Sequence, residues 1–357
     1  MNFLRDSWGF LVREKRWTGL FILTVLLYGG IFYWHAGRPQ SPPSPALEEF
    51  RAAEMKLKEE IRMSGNIQKF LVQRPKLFMI FNIFTFLILG TVIAGLVLDM
   101  VWLVRPDWRR RLRVSESPPE TGKWGISAIF RVLVLFFLVS FALSVFLSLL
   151  RAAIPQMSPN FLILLHTTLA DLLCVVLIVY FIRQLGGHWK DLGFHGVNLW
   201  KDLKVGFTGY LAVLPPFFLV LIGLITLANF FAYEPPAHPL VEIFLEEEKQ
   251  APSLVAYSVF LACVIGPVLE EIFFRGFCYP AFKKRWGRGW GLVLSAAFFG
   301  LIHQNYFAFL PIFVLGLSLG YLYEKRGTLV PSIVLHIVHN SIFVAYFFIA
   351  KEALMAI

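Results

Sequence analysis

Charge is what this sequence has least of. Only 16% of its 357 residues are Asp, Glu, Lys or Arg, and 57% are hydrophobic; a soluble globular chain carries about 25% charged residues. So little charge, gathered between long apolar runs, excludes a soluble domain and places the chain among polytopic membrane proteins. Cysteine is nearly absent. Cys174, Cys263 and Cys278 lie in or near apolar runs with no paired spacing. That excludes a disulfide framework and a thiolate metal site, and leaves them as small core-filling hydrophobes. No His-Glu-x-x-His occurs, so the familiar zinc-protease helix is missing. No internal repeat is evident, which counts against a transporter built from inverted repeats. Acidic residues are the scarcer sign, 23 against 33 basic ones, for a net charge of +10. The basic residues cluster at the ends of apolar runs. Topogenic signals and lipid headgroups account for that placement, and nucleic acid is excluded as a partner.

What is present is a series of nine apolar segments, at about 17–34, 77–104, 128–150, 161–182, 205–231, 254–274, 289–310, 311–323 and 329–350. The expected fold is all-α, a transmembrane helix bundle of about eight or nine spans. The eighth segment is short for the ~20 residues a crossing helix needs, so it is tilted, re-entrant or continuous with its neighbour across Pro311. The first follows Arg13, Lys15 and Arg16 with no small-residue cleavage site after it, which reads as a signal anchor. Lys and Arg set the orientation. With the N-terminus inside, the inner segments hold Arg5, Arg13, Lys15 and Arg16; Arg105, Arg109, Arg110, Arg111, Arg113 and Lys123; Arg183, Lys190, Lys201 and Lys204; Lys283, Lys284, Arg285 and Arg288; and Lys325 with Arg326. Residues 35–76 are the exception, because they fall outside with eight basic residues; a first segment lying on the membrane would return them to the cytoplasm. The expected location is the cell inner or plasma membrane, with the lipid bilayer as a partner.

Three regions divide the chain: 1–127 with N-terminal membrane segments, a linker and an amphipathic helix; 128–189 with further spans; and a core at 190–350. Arg38-Pro-Gln-Ser-Pro-Pro-Ser-Pro45 is a stiff extended linker. Ala46–Met63 has Leu47, Phe50, Leu57 and Ile61 on a helical period, which makes it an amphipathic helix lying on the bilayer or packed on the bundle. The 234–250 loop, with Glu246-Glu-Glu248, is an acidic connection. Pro215-Pro216 should kink or locally unwind the fifth span.

Against this apolar background, a few polar groups stand out. Glu270 and Glu271 are adjacent inside the sixth span, and an intramembrane carboxylate costs about 2.5–3.5 kcal/mol even on the lenient insertion scale. Residues four apart on a helix share a face, so Glu271 should pair with Arg275. Glu270, about 100° away, is then left for a cavity as a general base. His303 ends Phe299-Gly-Leu-Ile-His303. His336 and Asn340 share a face in the last span. At 1.5 Å per residue, Glu270 lies about 15 Å from Pro280, His303 about 22 Å from Arg288 and His336 about 15 Å from Arg326. Three helices can therefore bring polar groups to one layer in the cytoplasmic half of the membrane. A carboxylate and an imidazole activate water, and a second imidazole with an amide N–H stabilises an oxyanion. A carboxylate with two histidines is equally a zinc ligand set. The residues alone leave both chemistries open: no cofactor is required, and zinc stays possible.

Glu-Glu-x-x-x-Arg (Glu270, Glu271, Arg275), Phe-x-x-x-His (Phe299, His303) and His-x-x-x-Asn (His336, Asn340), in this order, resemble the signature of the CPBP family, the CAAX prenyl endopeptidases and bacteriocin-processing or immunity proteins also called Abi. Leu192-Gly-Phe and Pro331-Ser-Ile add to the resemblance, which covers about residues 190–350. It implies an intramembrane glutamate-dependent endopeptidase acting on a peptide or protein, lipidated or membrane-embedded. In that reading Glu270 activates water with help from His303, His336 and Asn340 form the oxyanion site, and Glu271 and Arg275 support them. The alternatives are a noncatalytic immunity or scaffold protein of the same fold, and a proton-coupled transporter using the carboxylates as a relay.

The other polar residues have plainer readings. His166, near Asp171, is expected to make a helix–helix hydrogen bond. Asp99 is an interfacial group, and His188 and His195 belong to loops. His339 points off the His336 face.

Overall fold

The structure is a computed structural model describing residues 15–36, 44–63, 72, 74–107, 123–194, 198–233, 235 and 239–355. Outside them fall Arg5, Arg13, Arg109, Arg110, Arg111, Arg113, His195 and most of the proline-rich linker. The described residues are helical, without a strand: α1 (Lys15–Ala36), α2 (Pro45–Met63), α3 (Pro75–Val104), α4 (Ile126–Ala153), α5 (Pro159–Gln184), α6 (Leu199–Phe230), α7 (Pro239–Glu247), α8 (Pro252–Phe260), α9 (Gly266–Glu271), α10 (Tyr279–Ile302), α11 (Tyr306–Arg326) and α12 (Val330–Met355). Two π-helical turns, Leu261–Ile265 and Ile272–Cys278, join α8, α9 and α10 into one rod. Eight candidate spans result among the described residues, the longest being Pro252–Ile302. That stretch is two helices back to back, because Gly287 leaves helical geometry at φ 80°, ψ 173°. Counting it once or twice gives the eight or nine spans expected.

The helices form two compact units, one holding α1, α4 and α5, the other α2, α3 and α6 to α12. In the first, α1 runs lengthwise beside α4: the Phe21 and Phe130 rings meet at a tilt, 5.4 Å apart, and Tyr28 meets Phe137 edge to face at 5.4 Å. α1 is among the eight helices long and apolar enough to cross a membrane. His166 of α5 reaches Ser140 of α4, 3.3 Å from Oγ and 3.2 Å from the carbonyl. This is the interhelical hydrogen bond read from the sequence.

In the second unit, α6, α10, α11 and α12 enclose the core, where Phe274, Phe299, Leu315, Leu319 and Leu335 are buried together. α6 is continuous through Pro215 and Pro216, so the expected local unwinding is absent. Pro215 still has no N–H for the Leu211 carbonyl, and α3 presents Gly95 to that spot. A Cβ at position 95 would stand 2.2 Å from the Leu211 oxygen. At the basic end, buried Asp202 pairs with Arg326, and Glu324 accepts from Tyr279 Oη at 2.6 Å and Lys283 Nζ at 2.9 Å. The Leu192-Gly-Phe segment is fixed there too. Leu329 N–H donates to Gly193 O, 3.0 Å away, and Gly193 takes φ 100° with Tyr323 where a side chain would go. At the other end, α2 packs on α7 and α12, with the Phe50 ring tilted against Phe347 at 6.1 Å, and Lys351 of α12 pairs with Glu248 just past α7.

One expected boundary is corrected. The break between the seventh and eighth segments lies at residues 303–305, not at Pro311. Gln304 adopts φ 50°, and Asn305 caps the new helix by accepting from Ala308 N–H at 3.0 Å. α11 then runs unbroken through Pro311 to Arg326. The capping asparagine and the left-handed residue before it decide the break; a proline near a helix start removes only one early hydrogen bond.

Candidate active site

Glu270 and Glu271 end α9, the six-residue helix between the π turns. A proline follows each π turn at the second residue after it, Pro267 and Pro280. A missing proline N–H favours the wider turn, and such turns gather at functional sites. Gly276, inside the second turn, lies against the Leu192 carbonyl, where a Cβ would come within 2.7 Å. The rod is thereby held to the segment before α6.

Glu271 is the hub. Its side chain and that of Arg275 are fully buried, and Arg275 Nη1 donates to Glu271 Oε1 at 2.7 Å. Arg275 Nη2 donates to the Gly316 carbonyl of α11 at 3.1 Å, and the guanidinium lies 4.5 Å from the Phe299 ring centroid. The cation therefore meets a carboxylate, a carbonyl and an aromatic face, the environment in which a buried charge is tolerated. His336 Nδ1 is 3.1 Å from the same Glu271 oxygen. A carboxylate only accepts, so Nδ1 carries the proton, and the ring is fixed with Nε2 facing outward. Nε2 lies 3.7 Å from Glu270 Oε2, beyond hydrogen-bond distance, and the contact is an ion pair only when the ring is protonated at both nitrogens. Glu270 keeps 34% of its side chain exposed while Glu271 keeps none. Two adjacent carboxylates are thus divided into one locked and one accessible.

The remaining residues join through packing. Phe299 has the His336 ring on it at 5.6 Å and the His303 ring at 4.9 Å, both edge to face. His303 Nδ1 sits 2.7 Å from the Phe299 carbonyl, which accepts its N–H and leaves Nε2 free to accept. His303 makes no ion pair with Glu270 among the described residues; the imidazole beside Glu270 is His336. Asn340 Nδ2 donates to the Ala262 carbonyl in the first π turn at 2.9 Å. His339 lies in an aromatic nest of Tyr210, Phe217 and Phe343. Asp99 lines a separate cavity of about 400 Å³ with Trp102, Thr208 and Tyr321. Sequence reading passed over Pro267 and the Ala262 carbonyl, although a proline three residues before a carboxylate pair in an apolar run was a visible signal. Among the described residues no group of three or more His, Cys, Asp or Glu is arranged to hold a metal ion.

Residues 252–342 match the family model described as type II CAAX prenyl endopeptidase Rce1-like. No curated protein and no solved structure matches the chain significantly. The matched segment runs from α8 into α12 and contains Glu270, Glu271, Arg275, His303, His336 and Asn340. Eight helices long and apolar enough to cross a membrane define the class, a multi-pass integral membrane protein, and its 252–342 segment is similar to the CAAX prenyl endopeptidases. The three sequence motifs resemble that same group.

Proposed function

We propose that this protein is an intramembrane endopeptidase that hydrolyses peptide bonds with a water activated by Glu270. The observation that carries the reading is the division of the carboxylate pair: Glu271 held by Arg275 and His336, Glu270 left accessible beside His336 Nε2. Glu270 takes a proton from water as the oxygen attacks the peptide carbonyl carbon. His336, as an imidazolium with Nδ1–H on Glu271 and Nε2–H toward the reacting carbonyl, and the Asn340 amide donate to the oxyanion as it forms. The C–N bond then breaks and the proton held on Glu270 passes to the departing amine. His303, fixed by its Nδ1, assists at the water through Nε2.

The substrate is a peptide or protein whose cleaved segment reaches the membrane interior, and the family description favours prenylated clients. The Lys/Arg distribution favours an opening toward the cytoplasm. The test is cleavage of a quenched peptide library, with and without a farnesylated cysteine, by the purified protein in lipid nanodiscs. Glu270→Gln and His303→Ala should each remove about 10²–10⁴-fold in rate, the contribution of positioned acid–base groups, while the melting temperature is retained. Normal turnover by Glu270→Gln would overturn the mechanism. A chelator should have no effect; loss of activity that zinc restores would assign the water to a metal.

A further inference from the structure

Asn340 meets the Ala262 carbonyl because a proline has removed that carbonyl's backbone donor. In the first π turn, Gly266 N–H reaches back five residues to the Leu261 carbonyl. The next step of the same pattern would send the N–H of residue 267 to Ala262, but residue 267 is proline and has no N–H. The residues four and five positions on from Ala262 are therefore both lost to it. Its oxygen is taken instead by Asn340 Nδ2, from α12, at 2.9 Å.

The consequence falls on the amide. A carboxamide has one accepting end and one donating end, nearly equal in shape. Opposite a carbonyl oxygen only the NH₂ end is favourable, so the bond to Ala262 fixes which way Asn340 faces. The second N–H of that group has no partner among the described residues. His336 lies one turn earlier on the same face of α12, its Nδ1 held by Glu271.

We infer that Pro267 is a positioning residue for Asn340: by withholding a backbone donor it keeps the Ala262 carbonyl open for the Asn340 amide, and so aims the second amide N–H beside His336. This rests on the proposed role of Asn340 at the oxyanion. It makes the first π turn part of the catalytic apparatus, since an unbroken α-helix would satisfy Ala262 from within.

Two replacements at one position test it. Pro267→Ala restores an N–H and suits a helix. Pro267→lactate, which puts an ester in place of the peptide link, removes the ring yet still offers no N–H. With the best cleaved library peptide, Pro267→Ala should lower kcat about tenfold at unchanged KM, less than the 10²–10³-fold typical of deleting an oxyanion donor. The lactate variant should return to within about twofold of the parent, because it too leaves Ala262 without a donor. In an Asn340→Ala background, Pro267→Ala should cost nothing more. Equal losses for alanine and lactate would show that the ring matters and not the absent donor; a full additional loss in the Asn340→Ala background would show that Pro267 acts elsewhere. Either result overturns the inference. A structure of the Pro267→Ala protein separates this from the proposed function. Asn340 should leave Ala262, and its staying within hydrogen-bond distance would overturn the positioning role even in a fully active enzyme. A parent protein that cleaves nothing would defeat the endopeptidase reading alone.

Discussion

Arg275 is the residue on which most of the site's internal order depends. Its guanidinium pairs with Glu271, bonds the Gly316 carbonyl and covers Phe299, all at zero exposure. Removing it strands a buried carboxylate. Arg275→Ala should therefore destabilise the protein by about 3–5 kcal/mol, the cost of breaking a buried pair, read as a lowered melting temperature. Glu271→Gln with Arg275→Met, which removes both charges, should recover most of that loss and leave cleavage impaired, because His336 then lacks its carboxylate. Arg275→Lys should also fail, since a single ammonium cannot reach the carboxylate and the carbonyl from a place over the Phe299 ring. The Glu271–Arg275 contact was legible from spacing alone, because four residues is one helical turn. His336 on Glu271 was not: sixty-five residues separate the two, and only the packing of α12 against the π turns brings them together.

At the scale of the element, small departures from the α-helix do the placing. Two wide turns put Glu270 and Glu271 on a short helix of their own, and glycine lets α3 close on the carbonyl freed by Pro215. Gly95→Val should push α3 off α6 and cost about 1–3 kcal/mol, as overpacking does, because its Cβ would start 2.2 Å from the Leu211 oxygen. Gly90→Val on the same helix meets nothing within 4 Å and should melt with the parent protein. Apolar periodicity announced nearly every helix here. It misplaced the break in the helical hairpin at Pro311, because proline is a weaker stop near a helix start than the Gln304–Asn305 turn is. It also gave no sign of π turns, whose extra residue per turn leaves no mark on a uniformly apolar run.

For the whole molecule, the two ends of the larger unit carry different chemistry. Lys283, Glu324, Asp202 and Arg326 tie one end together, while α2 and α7 cover the tail of α12 at the other. Charge bias predicts that the first end faces the cytoplasm. In cells expressing variants without the three native cysteines, a membrane-impermeant maleimide should label Met55→Cys on exposed α2 directly. It should label Lys284→Cys only after permeabilisation. The reverse pattern would invert the topology and move the site's opening to the other face. Residues 35–76, which violated the charge rule, hold α2, and the acidic partners of its basic residues include Glu54 for Lys58 and Glu60 for Arg74.

The sequence by itself determined the class of protein, the set of helices and the identity of the polar intruders. Lipid makes each of these a local matter: an apolar run must be helical, and a charge within it must have a purpose. It also determined the Glu271–Arg275 pair, since one turn of helix is a fixed distance. Only the tertiary structure decided which imidazole stands beside Glu270, which carboxylate is locked away, and that Asn340 answers a carbonyl seventy-eight residues distant. Those outcomes follow from how α9, α10 and α12 pack around Phe299, and the contact of one helix face with another is written in no single stretch of chain.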